Sequence, residues 1–358
     1  MKWPSHGANP HFLYEAMNLP VPKEKLDFSA NINPLGPPPV LKENWGKLLE
    51  AVTEYPDPHG TILKRKIAER EGLQESNVLL GNGAAEVISL IGRMLAGNQA
   101  VIVQPAFSEY EEACRVSGCQ VQYHQIPDTW AWMDDDLDAK LKKADALFLC
   151  NPSNPTGAYY SKSIILHLLE KCRSQQCLLI VDEAFYDFLA DYESISQCIN
   201  EYPNLLIIRS MTKMFAIPGL RLGYLLADPA VIRKIAAFQP HWSTNGIALK
   251  AGELCLESES YIKETITLIE QERQRLFLFY QSREMLVSPS RINFYLLKDP
   301  TLSNQYSFLQ YLLNRGIIAR HTVNFPGLEG EWLRFAIKGP GDNDKLMEAV
   351  DGWLDSRL

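Results

Sequence analysis

Cys177-Leu-Leu-Ile-Val-Asp-Glu-Ala-Phe185 decides the fold. Its first five residues are apolar without a break, so the strand they predict is covered on both faces. Such strands belong to parallel sheets wrapped by helices. Working outward, a helical pattern over about 161–175 precedes this run, and further apolar runs lie at 78–80, 100–104, 120–124 and 145–150. Helical stretches at 61–71 and 84–95 fall among them, and apolar runs at 205–209 and 222–226 follow. Strands alternating with helices predict an α/β fold, with a large domain over 41–245 built on a mainly parallel seven-stranded sheet. Beyond it, a polar-rich helical region at 247–282, strands near 292–297 and 331–337, and helices at 303–315 and 342–354 predict a smaller α+β domain over 246–358. Residues 1–40, rich in Pro, Asn and Gly, read as an irregular arm packing with the small domain and the active site.

A chain of 358 residues suits about two domains with a sizeable core. Hydrophobic residues make up 46% and charged residues 22%, which is ordinary globular usage. The charge sum, 35 − 43 = −8, argues against nucleic acid or an anionic membrane as partner, because both need a basic surface. Any anion must be caught locally. No apolar run nears the ~18 residues that span a bilayer, and residues 1–12 lack the apolar core of a signal peptide. A soluble, cytoplasmic protein is expected. The seven cysteines are odd in number, and Cys114/Cys119 and Cys172/Cys177 share one spacing. Without a CxxC, these predict reduced structural thiols and no metal site.

Ligands of open α/β sheets gather at the carboxyl ends of strands, and the unusual residues lie there. Lys213, in Ser210-Met-Thr-Lys213, has Met211, Met214, Phe215 and Ala216 around it. A lysine at a strand end is commonly a solvated charge. In apolar surroundings desolvation favours the neutral amine, which condensation with a carbonyl requires. Asp182 ends the most apolar strand, where a carboxylate needs a cationic partner or strong hydrogen bonds. It is either a structural ion-pair member or helix cap, or the partner of a pyridinium nitrogen. Asn154 lies in the turn Asn151-Pro-Ser-Asn-Pro-Thr-Gly157 and could also donate to a phenolate oxygen. Gly81-Asn-Gly83-Ala84-Ala-Glu86 leads from a strand into a helix, whose free N–H groups suit a phosphate. Ser210 and Arg221 could supply a hydroxyl and a guanidinium to the same phosphate. Phe107 is either a core aromatic or a ring that stacks on a ligand.

The ordered set Gly83, Asn154, Asp182, Ser210, Lys213 and Arg221 resembles the fold-type-I enzymes that use pyridoxal 5′-phosphate, the aspartate aminotransferase superfamily, over nearly the whole chain. Tyr55-Pro-Asp-Pro58 is similar to a segment of its histidinol-phosphate aminotransferase branch. That resemblance assigns Tyr55 to the cofactor phosphate of the partner subunit, making the active unit a homodimer with shared sites. It implies catalytic roles for Lys213 and Asp182. Cofactor contacts would come from Gly83, Ala84, Phe107, Asn154, Asp182, Ser210, Lys213, Arg221 and Tyr55.

His6-Gly-Ala-Asn9, Asp27-Phe-Ser-Ala-Asn31-Ile-Asn33, Ile318-Ala-Arg320 and Trp332-Leu-Arg334 narrow the resemblance to the L-threonine-O-3-phosphate decarboxylase family of cobalamin biosynthesis. It implies decarboxylation of O-phospho-L-threonine to (R)-1-amino-2-propanol O-2-phosphate, with substrate contacts at His6, Gly7, Asn31, Asn154, Arg320 and Arg334. Outside that resemblance the two arginines read as edge-strand ion-pair residues and His6 as a surface histidine. A histidinol-phosphate aminotransferase, phosphoserine as main substrate, and a non-catalytic cofactor-binding protein are the alternatives. Two departures stand out: Gly81-Asn-Gly-Ala-Ala-Glu86 lacks a hydroxyl or acid after its second glycine, and Phe185 stands where the aminotransferases carry a tyrosine.

Overall fold

The computed structural model describes residues 3, 4 and 6–357. Its large sheet has seven strands in the spatial order Val78–Gly81, Gly223–Ala227, Leu205–Ser210, Leu178–Asp182, Ala146–Cys150, Gln99–Gln104, Gln120–Gln125. The last five strands of that order pair in parallel, whereas Gly223–Ala227 runs antiparallel to both its neighbours. This is the mainly parallel seven-stranded sheet that the continuous apolar runs predict. Strands Ala146–Cys150 and Leu205–Ser210 are buried at every position, as two-sided covering demands.

Register gathers the strand ends along one sheet edge. Cys150 pairs with Asp182, and Gly223 pairs with both Ser210 and Gly81. A second sheet of four antiparallel strands runs Arg320–His321, Leu333–Ala336, Phe294–Lys298, Leu286–Val287. Residues 26–28 clamp onto its side: Phe28 N donates to Ile318 O and Ala336 N donates to Phe28 O, each at 2.8 Å.

The N-terminal segment departs from the expected irregular arm. Pro10–Ala16 is a helix, with Leu13 and Tyr14 buried and the Tyr14 hydroxyl donating to Leu313 O at 2.9 Å. Pro10 opens the helix, where its missing N–H costs nothing. The helical region expected over 247–282 is two helices, Gly246–Leu256 and Glu259–Gln281. Between them the Ser258 hydroxyl bonds back to Leu254 O at 3.2 Å, competing with the helical pattern.

The paired cysteines have a local explanation. Cys177 N donates to Cys172 O and Cys119 N donates to Cys114 O, both at 2.9 Å. Gln176 and Gly118 just before them have φ of 56° and 75°. Both are Schellman C-caps, which pair these two helix positions in apolar contact. All seven thiols are free. Among the described residues no helix is long and apolar enough to cross a membrane.

Candidate active site

A cavity of about 320 Å³ lies against that sheet edge, within the range of roughly 300–1,000 Å³ usual for small-molecule sites. At one end the strand Val78–Gly81 turns into the helix Ala84–Met94 through Gly83, at φ 80°. A side chain at Gly83 would collide with the Arg221 guanidinium, and one at Gly223 would meet the Ala84 nitrogen at 2.5 Å. These glycines therefore leave space between a helix N-terminus and the Arg221 guanidinium, which also donates to Pro218 O at 3.2 Å, an arrangement suited to phosphate. Ser210 Oγ lies 2.9 Å from Thr212 Oγ1 in the same wall.

Asp182 is 4% exposed, and both its oxygens are occupied. The Tyr110 hydroxyl donates to Oδ2 at 2.6 Å and Ala184 N donates to Oδ1 at 2.9 Å. Burial pushes its carboxyl up, while the Tyr110 and Ala184 bonds and the Lys213 charge pull it back. The Lys213 amine is brought down to about 8, chiefly by burial and then by the positive charges of Arg221 and Arg334. Burial thus moves the amine toward its neutral form. Phe107 lies edge-on to Tyr110 at the wall, with ring centroids 6.0 Å apart.

The opposite wall is cationic. Arg320 and Arg334 are directly opposite each other on neighbouring antiparallel strands and are 3% and 6% exposed. Burial lowers Arg320 to about 10, and burial together with Arg320 lowers Arg334 to about 9. Arg334 donates to Asn154 Oδ1 at 2.5 Å and to Ser29 O at 2.8 Å, while its Nε is buried without a partner among the described residues. Arg320 donates to Asn324 Oδ1 at 2.7 Å. Among the described residues Asn31 Oδ1 is likewise buried without a partner. At the mouth, His6 Nε2 lies 2.9 Å from Glu109 Oε1, and Gly7 packs where a side chain would meet Ser29 O at 2.5 Å.

The cavity thus brings together His6, Gly7, Asn31, Ala84, Phe107, Asn154, Asp182, Ser210, Lys213, Arg221, Arg320 and Arg334, with Gly83 at its turn. Tyr55 is elsewhere: it is 85% exposed and leans on Trp242, ring centroids 5.2 Å apart. Tyr110, Cys150, Ser29 and Thr212 also line or support the site and carry no sequence signal of it. In Glu109-Tyr-Glu-Glu-Ala-Cys114, Tyr110 reads only as the apolar face of an acidic helix. Phe185 is buried against Phe294, ring centroids 4.8 Å apart.

The family model for aminotransferase class I and II matches residues 23–352. The chain is 34% identical over 353 residues to a threonine-phosphate decarboxylase of Salmonella typhimurium, covering 97% of this chain and 95% of that one. It is 33% identical to an adenosylcobalamin biosynthesis bifunctional protein of Leptospira interrogans, covering 98% of this chain and 41% of that one. Among solved structures, the histidinol-phosphate aminotransferase of Clostridium acetobutylicum superposes with a TM-score of 0.87 at 32% identity, over 93% of this chain and 100% of that one.

Proposed function

This chain belongs to the aminotransferase class I and II family, and we propose that it decarboxylates O-phospho-L-threonine to (R)-1-amino-2-propanol O-2-phosphate in cobalamin biosynthesis. The observation that carries this reading is the Arg320–Arg334 pair. Two buried like charges directly opposite each other are mutually destabilising, and a phosphate dianion between them relieves both desolvation and repulsion. The similarity to a threonine-phosphate decarboxylase supplies the reaction.

The family's cofactor is pyridoxal 5′-phosphate, and the residues present fit it. The cradle that side chains at Gly83 and Gly223 would fill, with Ala84, Ser210 and Arg221 around it, suits its phosphate, and Asp182 suits its ring nitrogen. Asn154 suits its phenolate oxygen, Phe107 its ring face and Lys213 its aldehyde. When bound, the cofactor supplies a carbonyl carbon for the substrate amine and a conjugated ring that accepts electrons released at Cα. Because the Lys213 amine titrates near 8, uptake of the cofactor by the cofactor-free protein is expected to quicken as pH rises through about 8 and then level off. Stopped-flow absorbance checks this. A rise continuing to beyond pH 10 would mark an ordinary solvated lysine.

The protein's own residues then choose the bond that breaks. Arg320 and Arg334 grip the phosphate, which fixes rotation about Cα and presents the carboxylate for cleavage. The Cα–carboxylate bond breaks, CO₂ leaves, and Lys213 delivers a proton to Cα. A guanidinium on the departing carboxylate would stabilise the reactant over neutral CO₂ and raise the barrier. Both arginines therefore act best on the spectator phosphate. Phosphoserine lacks only a methyl group, a difference of about 1–3 kcal/mol in a pocket, so it is expected as a slower alternative substrate.

We further read the enzyme as a cytoplasmic homodimer, with an arm over 1–40, a large domain over 41–245 and a small domain over 246–358. Trp45, Leu49, Val52, Tyr55 and Trp242 form an exposed apolar surface suited to a second copy, with Tyr55 serving the partner's cofactor phosphate.

The deciding experiment gives cofactor-loaded protein O-phospho-L-threonine without a keto acid, beside a second sample with histidinol phosphate and 2-oxoglutarate. Stoichiometric CO₂ and amine phosphate are expected in the first. The second reading, to which the 32% identity to an aminotransferase points, predicts no CO₂ and glutamate in the second sample.

A further inference from the structure

We propose that Tyr110 is a positioning residue for the cofactor: its hydroxyl holds the Asp182 carboxylate ionised and aimed at the ring nitrogen. The inference rests on the pyridoxal reading but not on the identity of the substrate.

Asp182 Oδ1 is fixed by Ala184 N in its own chain turn, so the second oxygen sets the carboxylate's orientation. Its described hydrogen-bond partner is Tyr110 Oη at 2.6 Å, from a residue 72 positions away in sequence. Tyr110 is itself immobile. It is 1% exposed, its ring stacks on Phe148 at 5.7 Å between centroids, and Phe107 meets its edge. A hydroxyl so placed is a rigid donor to a carboxylate, a short charge-assisted bond.

The electrostatics agree. Burial drives the Tyr110 phenol well above its ordinary value, reinforced by Asp182 and Cys150, so it stays protonated at every working pH. The groups facing Asp182 are Tyr110 from the helix Glu109–Val116, Cys150 from the neighbouring strand, and Lys213 from the loop after Leu205–Ser210. Burial raises the Cys150 thiol, so it keeps its hydrogen, but that hydrogen goes to Pro152 O at 3.2 Å rather than to Asp182. In the loaded enzyme the Lys213 nitrogen would be tied to the cofactor aldehyde, so its free ammonium would no longer stand beside Asp182. In the loaded enzyme Tyr110 is then the side chain among these that keeps the carboxylate ionised.

The sign follows directly. Burial already lifts the carboxyl, and losing the Tyr110 donor lifts it further. The charge on Asp182 is then lost at a higher pH, and with it the partner of the protonated ring nitrogen.

Tyr110→Phe tests this by removing one oxygen and keeping the ring that packs on Phe148. Cofactor binding is expected to weaken by about tenfold or more, the usual consequence of deleting a hydrogen bond to a charged group. The weakening should deepen as pH falls, beginning at a higher pH than in the wild type. The pH titration of the bound cofactor's visible absorbance should move in the same sense, while KM for substrate changes little. A second pair, Asp182→Asn with and without Tyr110→Phe, closes a cycle read by cofactor dissociation constants. With Asp182 neutralised, Tyr110→Phe is expected to cost nothing more. Equal dissociation constants for wild type and Tyr110→Phe would overturn the proposal. So would a loss of the same size in the Asp182→Asn background, which would make Tyr110 a packing residue.

Discussion

Replacing Lys213 by alanine is expected to lower kcat on O-phospho-L-threonine by at least about a thousandfold, because one group supplies both covalent attachment and proton delivery at Cα. The same change should abolish the absorbance band of the covalently held cofactor, leaving binding that dialysis reverses. The fold should survive. Lys213 sits among Arg221, Arg334 and apolar side chains, and its amine is pulled down to about 8. A buried cation whose folded pKa lies below the unfolded one costs stability at every pH below its folded value. At pH 7 the alanine variant should therefore melt no lower than the cofactor-free wild type. Calorimetry of the two cofactor-free proteins checks this, and spectra and turnover check the rest. Unchanged colour together with unchanged turnover would end the pyridoxal reading.

What the sequence reveals here depends on how local the physics is. The inner strands are legible because two-sided burial writes itself as unbroken apolar runs, whereas the edge strand Gln120–Gln125 alternates polar and apolar residues and is largely exposed. The phosphate cradle is legible because glycine and a helix start lie within three residues of each other. The N-terminal helix was hidden by its own composition: Pro, Asn and Gly suggest irregular chain, while the burial of Leu13 and Tyr14 that stabilises Pro10–Ala16 depends on residues some 300 positions away. Arg320 and Arg334 are each visible as candidates, but their face-to-face placement is a matter of strand register, which a one-dimensional pattern does not contain. Tyr110 is more deeply hidden still, since nothing in its helix distinguishes a core tyrosine from one that grips a carboxylate on another strand. Tyr55 marks a different boundary. It lies outside the cavity and is exposed, and the cofactor contact proposed for it depends on a second copy.

The register of the arginines makes the other large prediction. Arg334→Gln should lower kcat/KM for O-phospho-L-threonine by about two to three orders of magnitude, matching the roughly 2–5 kcal/mol lost when one partner of a buried charged hydrogen bond is removed. On unphosphorylated threonine the variant and the wild type should differ far less, because the missing charge has no phosphate to hold. The loss should also change which bond breaks. With the phosphate gripped only by Arg320, Cα can rotate, and its hydrogen then competes with the carboxylate for the cleavable position. A growing share of turnovers should end in amino-group transfer to the cofactor and slow inactivation, detectable as a changed cofactor spectrum and keto product. Arg320→Gln should behave alike, since the two side chains face one another across a single strand pair. If instead Arg334→Gln slowed threonine and phosphothreonine equally, the guanidinium would be serving the carboxylate or Asn154 rather than the phosphate. The dianion site inferred from two opposed buried charges would then be wrong.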